Sequence, residues 1–504
     1  MNKTAIVIGA GVGGLAAAIR LARAGVKTTL HERAATVGGR LREIEVGGRK
    51  LDAGPSVLTM KWVFDELFDG RIAEYLELAP LEPLCRHFFA DGSRLDLFCD
   101  EEKSREAIRA FAGARNAEGY SRYRKHAAKI FDVVRGPFME NALPSTISFL
   151  HPKTILEFTR IDGMRSLWKA LGDFFPDERL RVLFGRYATY NGSSPFHAPA
   201  TLAVIAHVEN AFGIFACKGG IYRLADALAR RAVELGVEIR TNSQIDKITI
   251  EGGRAVGVRV RGSGADVQKE ERADVILCNA DAAHAYGVLL REAPVARPLA
   301  AKYGGEELSL SAYVLLAVGK APPIDVIHHN VFFSPGASGY EREFEELVKK
   351  RQTPSDPTVY LCAQDRTPES GQKAPGLEEE RLFFLSNAPP LEGAGGRIDW
   401  MVESGHCRER IQRTLARHGW TLETSAERAL TPVDWDRDFP SSRGAIYGLA
   451  SNSKFAAFSR PPSRVAKIPG LYLAGGSVHP GAGMPMVALS AKIAVDQALA
   501  ELRR

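Results

Sequence analysis

The sequence predicts an α/β fold: a Rossmann-like domain assembled from separated pieces, with an inserted α+β domain. Three observations predict it. An apolar strand from Thr4 runs into G-x-G-x-x-G at Gly9, Gly11 and Gly14, and helix formers follow from Leu15 to Ala24. A second strand, Thr28-Thr-Leu-His-Glu32, ends on an acid. Near the C-terminus, Leu471 to Ala474 has the pattern of a buried strand, followed by Gly475-Gly476 and a helix from about Met486 to Ala500.

The first stretch carries a mechanism. A lone G-x-G-x-x-G is a weak signal, but strand–turn–helix–strand with an acid about 20 residues on is specific for a dinucleotide. Gly9 makes the tight turn, Gly11 admits the pyrophosphate to the backbone, and Gly14 lets helix and strand pack closely. The helix start offers unpaired N–H groups to phosphate charge. Glu32 can accept hydrogen bonds from the ribose hydroxyls. Next come Arg33-Ala-Ala-Thr-Val-Gly-Gly-Arg40 and Leu51-Asp-Ala-Gly-Pro-Ser56, which by themselves read as turns.

The middle elements follow in order. Leu224, Leu228 and Val233 lie at helical spacing on Arg223 to Leu235, and Gly236 ends that helix. Val237 to Arg240 reads as a strand. Ile245 to Ile250 and Ala255 to Val260 alternate as a hairpin around Gly252-Gly253, and Ala273 to Ala280 is a buried strand. This gives dinucleotide-binding parts at 1–60, 218–280 and 434–504, with insertions at 61–217 and 281–433 forming a substrate domain. The first insertion is helical in pattern. In it Arg122, Arg124, Lys125, Lys129 and Arg135 interleave with Tyr123, Ile130, Phe131 and Val133, as in a helix lying on anionic lipid or in an ordinary solvated helix. The second holds strand candidates at Thr358 to Ala363 and Arg381 to Ser386.

Composition excludes several classes. At 504 residues the chain predicts two or three domains. A net charge of +6, from 66 basic and 60 acidic residues, is too mild to argue for nucleic acid, and no such motif is present. Six scattered cysteines (Cys85, Cys99, Cys217, Cys278, Cys362, Cys407) lack C-x-x-C, which fits a reducing cytoplasm and predicts no metal site. No uninterrupted run of 18 apolar residues predicts a spanning helix; Thr201 to Ala216 comes nearest and is broken by His207, Glu209 and Asn210.

The Gly38-Gly39-Arg40 doublet after Glu32 resembles flavoproteins of the amine oxidase and phytoene desaturase superfamily. The run from Pro469 through Gly475-Gly476-Ser-Val-His-Pro-Gly-Ala-Gly-Met-Pro-Met486 resembles the signature of carotenoid desaturases. The wording around Val478, with Arg186 to Pro195 and His328 to Ser334, looks most like the hydroxyneurosporene (methoxyneurosporene) desaturase branch. The resemblance implies a glutathione reductase/amine oxidase type of fold. It places FAD against Gly9, Gly11, Gly14, Glu32, Arg33, Gly38, Gly39, Arg40, Gly54, Ile245, Gly475, Gly476, Pro485 and Met486. It implies a C-3,4 desaturase of acyclic 1-hydroxy- or 1-methoxycarotenoids, with flavin as hydride acceptor. A phytoene desaturase stands as the alternative. A non-enzymatic prenyl-GTPase escort is opposed by the intact glycines and Glu32. An amine oxidase with flavin tethered to cysteine is opposed by the lack of cysteine in the C-terminal motif.

No catalytic side chain is assigned. His479 sits in the flavin loop as a candidate base or as a backbone-bonded loop residue. Phe149, Leu150, Leu156, Phe158, Trp168 and Phe174 are candidate tunnel walls. Tyr187, Tyr190, Asn191, His328, His329 and Asn330 are candidates for meeting a substrate hydroxyl. The expected setting is the cytoplasm, peripherally on the inner (photosynthetic) membrane from which the carotenoid comes. The oligomeric state is open.

Overall fold

The computed structural model describes residues 3–143, 161–261, 268–305, 307–368, 371, 376–391, 398–453 and 456–503. Its central sheet is parallel, in the order Leu471–Leu473, Val275–Cys278, Thr4–Ile8, Lys27–His31, Glu238–Arg240. The strand residues explain why both faces are covered. Ala5 and Val7 point to one side, into a core with the helices Val12–Arg23, Arg223–Glu234 and Met484–Leu502. Ile6 and Ile8 point to the other, with Ile276, Cys278, Leu471 and Leu473, against Ile245, Ile248, Ala255 and Val258. Strands buried on both faces are what a parallel sheet requires.

The second face is capped by the antiparallel pair Ile245–Glu251 and Arg254–Arg261. Its turn falls on Gly252 and Gly253, with φ of 55° and 79°, a left-handed conformation that glycine adopts without cost. The C-terminal helix begins at Met484, two residues before the expected start, because Pro485 fits the first turn, where its missing N–H costs nothing.

A second, mixed sheet holds seven strands in the order Thr424–Leu430, Ser311–Lys320, Glu379–Ala388, Val359–Ala363, His329–Phe332, Cys85–Phe88, Arg94–Leu97. Both sequence insertions contribute to it. His329–Phe332 pairs in parallel with Cys85–Phe88, and the other pairs are antiparallel. Tyr313, Leu315 and Ala317 face the helix Trp400–Ala416 and Trp420. Ala312, Val314, Leu316 and Val318 face Val46 and Leu51 of the N-terminal piece. The two strand candidates of the second insertion are strands, Val359–Ala363 and Glu379–Ala388.

The basic stretch lies on the helix Ala114–Val134, with Arg135 just past its end. Its apolar residues are spent inside the protein. Tyr123 packs on Phe174, Phe175 and Phe184, and Phe131 on His207 and Phe212. Arg122, Lys125, Lys129 and Arg135 are exposed. The helix therefore presents a charged face outward and no apolar face for lipid. Among the described residues, no helix is long and apolar enough to cross a membrane.

The tightest junction is between the first strand and the first helix. A Cβ on Gly14 would lie 1.9 Å from the Gly9 carbonyl oxygen. Backbone cannot yield there as a side-chain tip would. Gly14→Ala is expected to destabilise the fold by about 1–3 kcal/mol, as overpacking does. A urea midpoint unchanged from that of the parent chain would refute the close packing.

Candidate functional site

A cavity of about 510 Å³ opens at the C-terminal ends of the parallel strands. Each strand end delivers residues to it: Ile8 and Gly9, then His31, Glu32 and Arg33, then Asn279, Ala280 and Asp281, and finally Gly476. This is where ligands of open α/β sheets bind, because loops diverge there and helix N-termini converge.

Two helix starts reach the cavity, and neither is capped by a side chain. Val12–Arg23 starts after Gly11, and Met484–Leu502 after Gly483. Their first N–H groups therefore have no intrahelical partner and point at whatever fills the space. Gly11 and Gly38 form an isolated parallel bridge, with Gly38 N–H donating to the Ala10 carbonyl at 2.8 Å. A Cβ on Gly39, whose φ is 62°, would lie 3.0 Å from Gly11 Cα. The glycine turn and the glycine doublet thus support each other as one cradle.

Charged groups flank the cradle. Glu32 is buried, and its carboxylate accepts from Ala10 N–H at 2.7 Å and Ala34 N–H at 2.8 Å. Arg33 is exposed and donates to the Arg437 and Asp438 carbonyls. The Arg40 guanidinium stacks on the Phe439 ring at 4.6 Å and reaches the Ala445 carbonyl at 3.5 Å, while its Nε is buried without a partner. Burial pulls Arg40 below its ordinary range, and an anion beside it would reverse that. Free helix N–H groups, a glycine cradle and an under-partnered arginine together fit the pyrophosphate of FAD.

The other sequence candidates divide. Gly54, Ile245 and Pro485 line the cavity with Gly9, Gly11, Glu32, Arg33, Gly38, Gly39, Arg40 and Gly476. Gly14, Gly475 and Met486 do not. Gly14 packs on Gly9, and a Cβ on Gly475 would meet Asn279 Nδ2 at 2.8 Å, so both glycines act behind the cradle. Met486 is turned away because the helix starts at Met484, which puts Met484, Pro485 and Val487 on the cavity instead.

The sequence did not flag Asn279, Asp281 or Arg460. Asn279 donates to the Ala474 carbonyl at 3.0 Å, tying two strand ends together. Asp281 is half-buried within the influence of Arg40 and Arg460, and desolvation raises its carboxyl above the usual range. Arg460 donates to the carbonyls of Tyr447, Gly476 and Leu449 and to Asn191 Oδ1. Three isolated polar residues at strand ends or in loops carry no spacing that would reveal them.

His479 is buried. Its Nε2 bonds the Asn141 carbonyl at 3.0 Å, and burial pulls its pKa down to about 4. It does not line the cavity, so the backbone-bonded reading describes its position.

Apolar side chains of Ile205, Val208, Ala312, Val314, Phe383 and Leu385 also line the cavity. Of the hydroxyl candidates only Tyr190 lines it. Asn330 bonds both amide groups to Ile327, at 2.9 and 2.6 Å, and Asn191 bonds Ser451 and Arg460. Tyr187 is buried behind Tyr190, with ring centroids 5.6 Å apart. His329 bonds the Tyr360 hydroxyl at 2.8 Å, which bonds Ser56 at 2.8 Å. His328, His329 and Cys362 place ligand-type atoms within 4.8 Å of one another, and Cys362 Sγ lies 3.5 Å from His328 Nε2. Trp168 packs on Phe196 and Phe174 on Tyr123, both off the cavity. Phe149, Leu150, Leu156 and Phe158 lie outside the described residues. Arg186 and Glu209, unassigned from sequence, do line the cavity.

Comparison with known proteins agrees with this architecture. Residues 12–499 match the family described as flavin containing amine oxidoreductase. Hydroxyneurosporene desaturases from Rubrivivax gelatinosus and Cereibacter sphaeroides are 38% and 40% identical over 99% of this chain, and the matches span 93% and 97% of those proteins. A phytoene desaturase of Fusarium fujikuroi is 30% identical over 99% of this chain and 90% of its own. An oxidoreductase from Methanosarcina mazei shares the fold, with a TM-score of 0.64 at 16% identity over 98% of this chain and 100% of that one. The chain therefore belongs to the flavin containing amine oxidoreductase family, in the carotenoid desaturase group with the hydroxyneurosporene desaturases.

Proposed function

We propose that this chain is an FAD-dependent desaturase that introduces a C-3,4 double bond into acyclic 1-hydroxy- or 1-methoxycarotenoids. The observation that carries the reading is the continuity of one cavity, from the glycine cradle to an apolar wall contributed by the second sheet. A dinucleotide and a long hydrocarbon can share such a space. The near full-length similarity to hydroxyneurosporene desaturases supports the choice of substrate.

Gly9, Gly11, Gly38, Gly39 and Arg40 would hold the pyrophosphate, Glu32 the adenosine ribose, and Ile245 the adenine edge. Gly54, Gly476 and Pro485 would lie toward the flavin ring, with Gly14 and Gly475 packed behind. When bound, FAD supplies the hydride acceptor for removing two hydrogens from adjacent carbons. The protein's part is placement and exclusion of water. Ile205, Val208, Val314, Phe383 and Leu385 exclude water around an alkyl chain. The uncapped start of Met484–Leu502 favours negative charge beside it, as on a reduced flavin.

Peripheral attachment to the cytoplasmic side of the inner membrane is part of the same proposal. The substrate dissolves in lipid, and Arg122, Lys125, Lys129 and Arg135 leave a charged helix face exposed. With the apolar face buried, attachment there would be electrostatic.

Three outcomes follow. No cysteine is among the described residues lining the cavity, so acid precipitation of the holoprotein should release all its yellow colour; flavin left on the pellet would mean a covalent link. Binding to anionic vesicles should weaken in 1 M salt, where the Debye length is about 3 Å. Equal binding to neutral and anionic vesicles at low salt would remove the electrostatic element. Membranes holding the enzyme should desaturate 1-hydroxyneurosporene and leave phytoene largely unchanged; rapid multi-step conversion of phytoene would assign the chain as a phytoene desaturase.

A further inference from the structure

Besides its apolar residues, the cavity is lined by two charged groups that the proposed cofactor site does not use: Glu209, 2% exposed, and Arg186, 8% exposed. Glu209 Oε1 and Arg186 Nε are buried and have no hydrogen-bond partner. Each is a strong donor or acceptor out of water, which is costly unless something meets it. They do not satisfy each other: no ion pair of 4.0 Å or less joins them, among contacts of the described residues.

Local structure explains their placement. Glu209 follows Ile205 and Val208 on the helix Ala203–Phe212, a spacing that puts all three on one face. Arg186 begins the 3-10 segment Arg186–Asn191. Its guanidinium stands over the rings of Tyr190 at 5.2 Å and Tyr187 at 5.8 Å, and donates to the Tyr190 hydroxyl at 3.4 Å. The hydroxyls of Tyr187 and Tyr190 lie beside the Glu209 carboxylate. The result is a buried guanidinium and a buried carboxyl group, both lining the cavity and each with one atom left without a partner.

We propose that Arg186 and Glu209, with Tyr190 between them, form the seat of the substrate's terminal oxygen and set the specificity of the enzyme. This rests on the function proposed above and deepens it. A hydroxyl is both donor and acceptor, so it satisfies the two groups at once: its O–H donates to Glu209 and its oxygen accepts from Arg186. An ether oxygen satisfies Arg186 alone. A hydrocarbon end meets neither Glu209 Oε1 nor Arg186 Nε, which then stay buried without a partner. A site built to bond a hydroxyl rejects the analogue lacking it for this reason. Of the other polar groups nearby, Asn191 and Asn330 bond within the protein, the Tyr360 hydroxyl joins Ser56 to His329, and His329, whose Nε2 is also unpartnered, does not line the cavity.

The test uses FAD-loaded enzyme and three probes: 1-hydroxyneurosporene, its 1-methoxy ether and neurosporene. Affinity is read by quenching of protein fluorescence, beside kcat/KM. The wild-type enzyme should prefer the hydroxylated probe to neurosporene on the order of 100-fold, as expected for paired hydrogen bonds to charged groups. Glu209→Gln should narrow the preference for hydroxyl over ether. Arg186→Met should weaken both oxygenated probes relative to neurosporene, and Arg186→Lys should restore part of the difference. A purely structural role would move all three probes together. Equal wild-type binding of hydroxylated probe and neurosporene overturns the seat while leaving desaturation standing, as do variants that keep the wild-type ratios. Wild-type enzyme that holds FAD but binds none of the three overturns the functional reading and the seat with it. Should Glu209→Gln or Arg186→Met fail to fold, judged by flavin content and melting temperature, the wild-type ratios and Tyr190→Phe decide. Tyr190→Phe should lower the hydroxyl preference, and an unchanged ratio there counts against the seat.

Discussion

Backbone pressed on backbone at the first glycine turn is the contact on which the site depends. Gly14 meets the Gly9 carbonyl where any Cβ would stand 1.9 Å away, and Gly11 bridges to Gly38. That closeness puts the start of the helix Val12–Arg23 directly over the strand end. The helix N–H groups then reach the cavity with no side chain between them and a ligand. The same helix packs against Met484–Leu502, whose uncapped start also faces the cavity. One steric condition at a glycine therefore fixes two helix termini relative to each other.

Charge inside the cavity is arranged on that frame. Arg460, Arg186 and Glu209 are buried and Arg40 and Asp281 half-buried, and a buried charge persists only with partners. Arg460 meets this by four hydrogen bonds that join the loop after the last parallel strand to the segment carrying Asn191. Arg40 and Asp281 lie within each other's field. Arg460 thereby ties Gly476 to Asn191, while Ala312, Val314, Phe383 and Leu385 supply an apolar part of the cavity wall.

The second sheet makes that wall. Its strands come from stretches far apart in the chain, and Cys85–Phe88 is inserted beside His329–Phe332 in parallel. Alternation along Ser311–Lys320 sends one set of residues to the helix Trp400–Ala416 and the other to the N-terminal piece. Closure over the cofactor end thus follows from strand register, which a shift of one residue would invert.

Much of the first sheet was legible in the sequence, because its signals are local. The glycine spacing, the acid ending Lys27–His31 at Glu32, the Gly252-Gly253 hairpin and the C-terminal strand and helix all sit within short windows of period or turn chemistry. Tertiary structure decided what depends on residues meeting across the chain. It spent the apolar face of Ala114–Val134 inside the protein, because Phe174, Phe175, Phe184 and Phe212 arrive from other segments. It committed Asn330 to its own loop and moved Tyr187 behind Tyr190. It brought Glu209, which in sequence merely interrupts an apolar run, into the same cavity as Arg186, a meeting that neither residue's neighbours predict. By itself the sequence determined the fold class and the dinucleotide turn, since a glycine's freedom and a strand's alternation are properties of adjacent residues. Which polar groups face the cavity was set only by packing, since burial and the lack of a partner belong to the assembled molecule.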